Sequence, residues 1–389
     1  MNKTFCILPW VHFFHSPNGS VGPCCAYHNS DNSFNNMRDF SNHHEIINQP
    51  NYNKLRLKML NGEPSPGCIN CYQMEEHGAE SIRISKNQML GQLLTMDDIK
   101  ENTNPDGSLK DFKMRFWDVR FNNICNLSCR MCGPEWSHTW AQEEGVRSNE
   151  SYVLTAHDTD NFKEMLDKYG PLDDLYDIFF AGGEVLFQKE HWEMLDHLIE
   201  IDRTDVMIMY VTNLTKLDYN GSKLLDYIPK FKNVTFTVSI DGIGSLAEYI
   251  RWGTNWETVV NNLRAVSKLE NVNLRVNFTT TFYNLLGLPD TIDFLYSNGY
   301  LNNSDDMDIF VAQQPHNHVG AIPSEMKSSI RSSLLESKYY NMFKDKIDAV
   351  IDSMMHTTYE FPKDYIKKID QRRGCNILDV IPELESYMS

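Results

Sequence analysis

Cys125-Asn126-Leu127-Ser128-Cys129-Arg130-Met131-Cys132 places three cysteines within eight residues, spaced C-x3-C-x2-C. A fully ligated [4Fe-4S] centre takes four protein thiolates, so a tight loop supplying three suits a cluster with one iron open to an outside ligand. Zinc sites more often show paired C-x2-C knuckles or Cys/His sets of four, and no fourth ligand lies nearby in sequence. A disulfide framework suits small secreted domains, whereas this chain of 389 residues is long enough for a large core.

Outward from the loop, strand and helix patterns alternate. Apolar, β-branched runs at residues 113–121, 176–181, 206–212, 234–240, 272–279 and 307–312 read as strands. Helical patterns fill residues 134–144, 190–201, 256–269 and 286–297. This alternation predicts an α/β fold, a partial (β/α)6 TIM-like barrel with a parallel sheet. The cysteine loop directly follows the first strand, and sites in such barrels gather at the C-terminal ends of strands.

The other strand ends carry polar groups. The second strand ends in Phe180-Ala181-Gly182-Gly183-Glu184, where two glycines let backbone approach a ligand closely; a lone Gly-Gly pair reads as a turn. Asn213 closes the third, and Ser239 and Asp241 the fourth, with a turn or helix cap as the plainer role for each. Arg251, in Tyr249-Ile250-Arg251-Trp252-Gly253, offers a bidentate fork to a carboxylate, or a surface salt bridge. After the sixth strand comes Gln313-Gln314-Pro315-His316, and Gln313, Gln314 and His316 are expected to line a substrate pocket.

The charge balance, 36 basic against 53 acidic residues for a net −17, argues against a nucleic-acid backbone as partner. Its plain meaning is solubility. No apolar run approaches the roughly 20 residues that span a bilayer. Cys6, Pro9 and His12 interrupt the apolar start, so no signal peptide is expected and the cytoplasm is the default compartment. Nine cysteines in a reducing compartment point to metal ligation rather than bridges.

A composition change near residues 101–111, with the turn signal Asn104-Pro105-Asp106-Gly107, divides the chain into a leading domain (1–105), a barrel (106–325) and a helical C-terminal segment (326–389). The leading domain has its own cysteines, Cys6, Cys24, Cys68 and Cys71, enough to close a second [4Fe-4S] cluster or a zinc site. Cys25 beside Cys24 leaves one ligand open. His12, His28, His43 and His44 read as packing or surface residues, and Cys375 as a small buried hydrophobe.

The three-cysteine loop on the first strand, with Gly182-Gly183-Glu184 on the second, resembles the radical S-adenosylmethionine (SAM) superfamily. The resemblance implies that the amino and carboxylate groups of SAM bind the open iron, and that the reduced cluster cleaves the sulfonium to a 5'-deoxyadenosyl radical. It further implies that Gly182, Gly183 and Glu184 hold the methionine ammonium. Asn213, Ser239 and Asp241 would serve the nucleoside side and Arg251 the SAM carboxylate. Cys6-x12-Gly19-x4-Cys24 resembles the C-x(9–15)-G-x4-C element of SPASM and twitch domains, which hold auxiliary clusters. Here that element precedes the barrel, as in a subgroup with an N-terminal twitch domain, and the resemblance runs from Phe5-Cys6 to Arg373-Gly374.

The same resemblance implies a flavodoxin- or ferredoxin-type reductant. The expected substrate is a peptide or protein, crosslinked, epimerised or oxidised after hydrogen abstraction. A small sugar, nucleotide or antibiotic precursor is the alternative. A non-catalytic iron-sulfur or zinc scaffold is the third reading, and it gives no role to Gly182, Gly183, Glu184 or Arg251. No general acid or base is nominated, because the radical performs the hard step and the protein positions it.

Overall fold

The computed structural model describes residues 3–28, 34–76, 80–145, 152–159, 161–170 and 172–389. In chain order its strands are β1 (Phe14–His15), β2 (Val21–Gly22), β3 (Phe116–Val119), β4 (Ser128–Cys129), β5 (Asp177–Phe180), β6 (Met207–Thr212), β7 (Asp218–Tyr219), β8 (Ser222–Lys223), β9 (Val234–Ser239), β10 (Arg251–Trp252), β11 (Val272–Thr280) and β12 (Met307–Val311). The fold is α/β and largely parallel. The chain divides into two compact units: Met1–Ile124, Val153–Met209 and Lys230–Asn233 form the first, and Cys125–Tyr152, Tyr210–Pro229 and Val234–Ser389 the second. β6 crosses the division. Among the described residues no helix is long and apolar enough to cross a membrane.

In the first unit the strand order is β2-β1-β3-β5-β6. β3 and β5 pair in parallel from Phe116 opposite Asp177 to Val119 opposite Phe180. Phe116, Trp117, Val119, Ile178 and Phe180 are all buried, as both faces of a parallel strand are when each is covered. On the Trp117 side the helix Phe162–Tyr169 ends at Gly170, where a Cβ would stand 2.5 Å from the indole; only glycine fits. The helix Lys189–Glu200 turns His191, Trp192, Met194, Leu195 and Leu198 inward at helical spacing.

The leading residues belong to this unit through specific ties. β1 lies parallel to β3, Phe14 opposite Asp118, and antiparallel to β2. On the helix Pro50–Leu60, the buried Arg56 donates to the carbonyls of Pro9, Ile47 and Gly107 at 2.8, 2.6 and 3.1 Å, joining three segments distant in sequence. On the helix Ile82–Leu90, Lys86 meets Asp177 of β5 at 2.6 Å, its ammonium 3.7 Å from the Phe116 ring centroid.

In the second unit the order is β6-β9-β11-β12, again parallel where β9, β11 and β12 pair. Tyr210 stacks on Phe236 at 4.7 Å between centroids. The helices Gly244–Ile250, Trp256–Val266 and Leu288–Ser297 separate the strands. The helix Lys344–His356 packs on β12, and the helix Lys363–Arg373 ends at Gly374 in the left-handed conformation, φ +65°. All six expected strands and all four expected helices are present, with ends shifted by at most a few residues. The leading hairpin β1/β2 was not anticipated; it adds two strands beside β3 in the first unit.

Candidate functional site

The cysteine loop opens the second unit, and its backbone is fixed at nearly every step. β4 pairs antiparallel with β10, setting Cys129 opposite Arg251 and Ser128 opposite Trp252. Gly253, at φ +100°, permits the turn that brings β10 there. Ser137 caps the helix His138–Glu144 and donates to the Leu127 carbonyl at 2.7 Å, and the Trp140 indole donates to the Cys129 carbonyl at 2.8 Å. The Cys125 N–H donates to His138 Nδ1 at 3.1 Å, and burial lowers the His138 pKa, so that nitrogen stays an acceptor.

Burial raises the pKa of two of the three thiols. Cys132 is pushed up to about 12, by desolvation and then by Cys129; Cys129 is raised by desolvation, opposed by the Arg251 and Arg373 cations. Arg251 Nη1 stands 3.8 Å from Cys129 Sγ, and its Nη2 forms an ion pair with Asp241 at 2.6 Å. Asp241, fully buried at the end of β9, also accepts the Thr279 N–H at 2.6 Å. Arg251 is thereby aimed, while its Nε is buried and makes no hydrogen bond among the described residues. A carboxylate would satisfy that donor.

Of the remaining expected residues of this unit, Asn213 and Gln314 reach the loop. Asn213 donates to Asn126 Oδ1 at 3.0 Å, and Asn126 donates to Thr215 Oγ1 at 2.9 Å, so the end of β6 holds the residue after Cys125. Ser239 ends β9 half-buried, opposite Asn277 of β11. Gln314 donates to the Met131 carbonyl at 3.3 Å. Gln313 is exposed and donates to its own Val311 carbonyl at 2.8 Å, while half-buried His316 rests against Tyr365 at 4.5 Å between centroids. Only Gln314 of those three touches the loop among the described contacts.

In the first unit Gly182-Gly183-Glu184 follows β5. Gly182 has φ +111°, and a Cβ on Gly183 would lie 2.2 Å from the Ile124 carbonyl oxygen. The two glycines therefore allow backbone to touch backbone, and the Glu184 N–H donates to Ile124 O at 2.6 Å. Glu184 is 1% exposed, and its carboxylate accepts from the Leu186 N–H at 3.3 Å.

The same unit gathers the leading cysteines. Cys24 is raised well above the usual thiol range by burial and then by the like charges of Cys25, Cys6, Cys68 and Cys71. Cys6 is pushed up to about 12 and Cys68 to about 11, each mainly by burial and each sensing neighbouring cysteines. Cys25, by contrast, is exposed, and it meets Asp118 and Arg120. The turns carrying them are tied together: His28 N–H donates to Gly67 O at 2.8 Å and Asn70 to Ala26 O at 3.0 Å. Gly67 lies so near the Tyr27 ring that a Cβ would be 2.0 Å from it.

Among the described residues no group of three or more His, Cys, Asp or Glu side chains is placed to hold a single metal ion. The donor set is nonetheless the one a cluster needs: three thiols in one loop, and four thiols within electrostatic reach of one another.

The family model of the radical SAM superfamily matches residues 119–293, and that of an iron-sulfur cluster-binding domain, SPASM, matches residues 6–72. A curated relative, the probable GTP 3',8-cyclase of Methanocaldococcus jannaschii, is 25% identical over 183 residues, 47% of this chain and 55% of that protein. The chain thus spans about half the length of the curated relative it matches. Among solved structures, anSMEcpe with bound AdoMet is 14% identical with a TM-score of 0.42, over 60% of this chain and 61% of that one. Streptococcus suis SuiB bound to precursor peptide SuiA is 11% identical with a TM-score of 0.36, over 82% and 64%. With its three-cysteine loop after β3 and the leading cysteines ahead of it, this chain carries a radical SAM domain at residues 119–293 and, at its N-terminal side, a SPASM iron-sulfur segment at residues 6–72.

Proposed function

We propose that this chain is a radical SAM enzyme that abstracts a hydrogen atom from a peptide or protein, leading to a crosslink, an epimerised centre or an oxidised residue. The observation that carries the reading is Arg251, aimed by Asp241 beside Cys129 with a buried N–H unmet. Residues 1–105 would form the auxiliary-cluster domain, 106–325 the barrel and 326–389 the helical closing segment.

When bound, a reduced [4Fe-4S] cluster with one open iron supplies the electron that splits SAM into methionine and a 5'-deoxyadenosyl radical. Cys125, Cys129 and Cys132 would ligate three of its irons. Arg251, oriented by Asp241, would take the SAM carboxylate, Gly182, Gly183 and Glu184 the ammonium, and Asn213 and Ser239 the nucleoside side. Cys6, Cys24, Cys68 and Cys71 would hold a second [4Fe-4S] cluster, which would accept an electron or grip substrate. Gln313, Gln314 and His316 would line the substrate pocket. A flavodoxin- or ferredoxin-type carrier would deliver the electron, in the cytoplasm, where the thiols stay reduced.

The SPASM segment supports the peptide reading, since relatives with such segments often modify peptides. The same chemistry on a small sugar, nucleotide or antibiotic precursor is the second reading, favoured by the likeness to a probable GTP 3',8-cyclase. The test is anaerobic purification and reconstitution, with assay of iron, sulfide and 5'-deoxyadenosine under a strong reductant. About eight irons per chain and SAM cleavage are expected; replacing Cys125, Cys129 and Cys132 by Ala should leave about four irons and no cleavage. Failure of the wild-type protein to bind or cleave SAM would overturn the proposal.

A further inference from the structure

The helix Lys363–Arg373 brings Asp370 and Arg373, three residues apart and on one face, onto the cysteine loop of the second unit. Asp370 forms an ion pair with Arg130, a residue 240 positions earlier. The same carboxylate accepts the Tyr249 hydroxyl at 2.9 Å and the Ile377 N–H at 2.8 Å. Arg130 is 1% exposed, its guanidinium 3.7 Å from the Tyr249 ring centroid, and its own N–H donates to Ile250 O at 2.8 Å. Arg373 donates to the Ser128 carbonyl at 2.7 Å and grips Glu143 with two bonds of 2.9 and 3.0 Å. Ser128 and Arg130 are the two neighbours of Cys129 in the chain.

We infer that Asp370 and Arg373 are positioning residues for the Cys129 thiolate, the helix Lys363–Arg373 acting as a clamp that fixes residues 128 and 130 in ligand geometry before the cluster arrives. This rests on the radical SAM reading of the loop and extends it to the far end of the chain. Docking alone is served by Ile366 and Ile369, which the same helix buries almost completely. An aspartate and two arginines beside them cost desolvation that an apolar face would avoid. Each of these charges is spent on an atom next to Cys129 or on holding such an atom's side chain. The arginines also set positive charge beside a cluster whose potential responds to net charge and hydrogen bonding.

That charge arrangement gives a readout a merely structural role would not move. Arg373→Gln removes a cation, so the reduction potential of the open-iron cluster should fall; Asp370→Asn leaves Arg130 uncompensated, so it should rise. The potential is followed anaerobically on the electron paramagnetic resonance signal that changes when SAM is added. In cluster-free protein, amide exchange at residues 128–132 should quicken at least tenfold in both variants. Arg373→Lys keeps the charge and loses the fork, and should speed exchange while leaving the potential near wild type; it carries the test if the other two fail to fold. Wild-type potential and exchange in the variants, with only the melting temperature lowered, would overturn the clamp. A wild-type protein without a SAM-sensitive cluster would instead defeat the radical SAM reading itself.

Discussion

Cys24 and Cys25 stand side by side at the end of the leading hairpin, yet Cys24 couples to Cys6, Cys68 and Cys71 whereas Cys25 meets Asp118 and Arg120. Spacing favours Cys24 as ligand. A thiol facing an aspartate gains nothing as a thiolate, while four thiols facing one another are stabilised as anions only when iron neutralises them. Replacing Cys24 by Ser should therefore lower iron from about eight to about four per chain, and replacing Cys25 by Ser should leave it near eight. Equal loss in both variants, measured by iron and sulfide assay after identical reconstitution, would mean the pair shares the cluster. Arg251 and Asp241 teach the converse lesson. Each reads in sequence as a separate ligand-binding group, and the structure joins them in one ion pair. Asp241 thereby orients the guanidinium that the SAM carboxylate would meet.

At the scale of elements, the joint between the leading residues and β5 rests on a buried ion pair, Lys86 with Asp177. Burial pushes the Asp177 carboxyl up, against the pull of Lys86, so the carboxylate depends on its cation. Lys86→Met should cost about 3–5 kcal/mol, because it strands a buried charge, and adding Asp177→Leu should recover most of that loss. Urea midpoints of the two variants check it; a single variant within about 1 kcal/mol of wild type would show the pair to be incidental. The strands β3, β5, β6, β9, β11 and β12 were legible because runs of four to nine residues carry a hydrophobic signal. β1, β2, β4 and β10 were not, since two residues have no period. The cysteine loop and the glycine pair were legible for the same local reason. The contacts of Asn213 with Asn126, 87 residues apart, and of Gln314 with Met131, 183 apart, belong to the tertiary fold and leave no mark in a short window. Asp370 and Arg373 were hidden in the same way.

Over the whole molecule, acid sensitivity follows from histidines that folding buries in neutral form. His12, His15 and His191 are almost fully buried, and burial lowers each to about 3, with the positive Lys86 and Arg120 adding to the effect at His12. The unfolded chain takes up a proton at each near the ordinary value of about 6.5, whereas the folded chain does so only near 3. Between those limits the unfolded state holds more protons, so stability must fall as pH falls below about 6.5. Each histidine contributes about 1.4 kcal/mol per pH unit in that window. Asp177 and Asp241 act with the opposite sign, because burial raises their pKa and lets the folded state bind protons first. His191 offers the clean test, since its ring packs edge-on against Phe180 at 5.0 Å between centroids, a site a phenylalanine can fill. His191→Phe should remove about 2 kcal/mol of the decline in unfolding free energy between pH 7 and 5 relative to wild type. Comparing the two proteins under identical reconstitution cancels acid loss of the clusters, which affects both alike. Parallel pH profiles would mean that His191 takes up its proton without unfolding, and that acid sensitivity originates elsewhere in the chain.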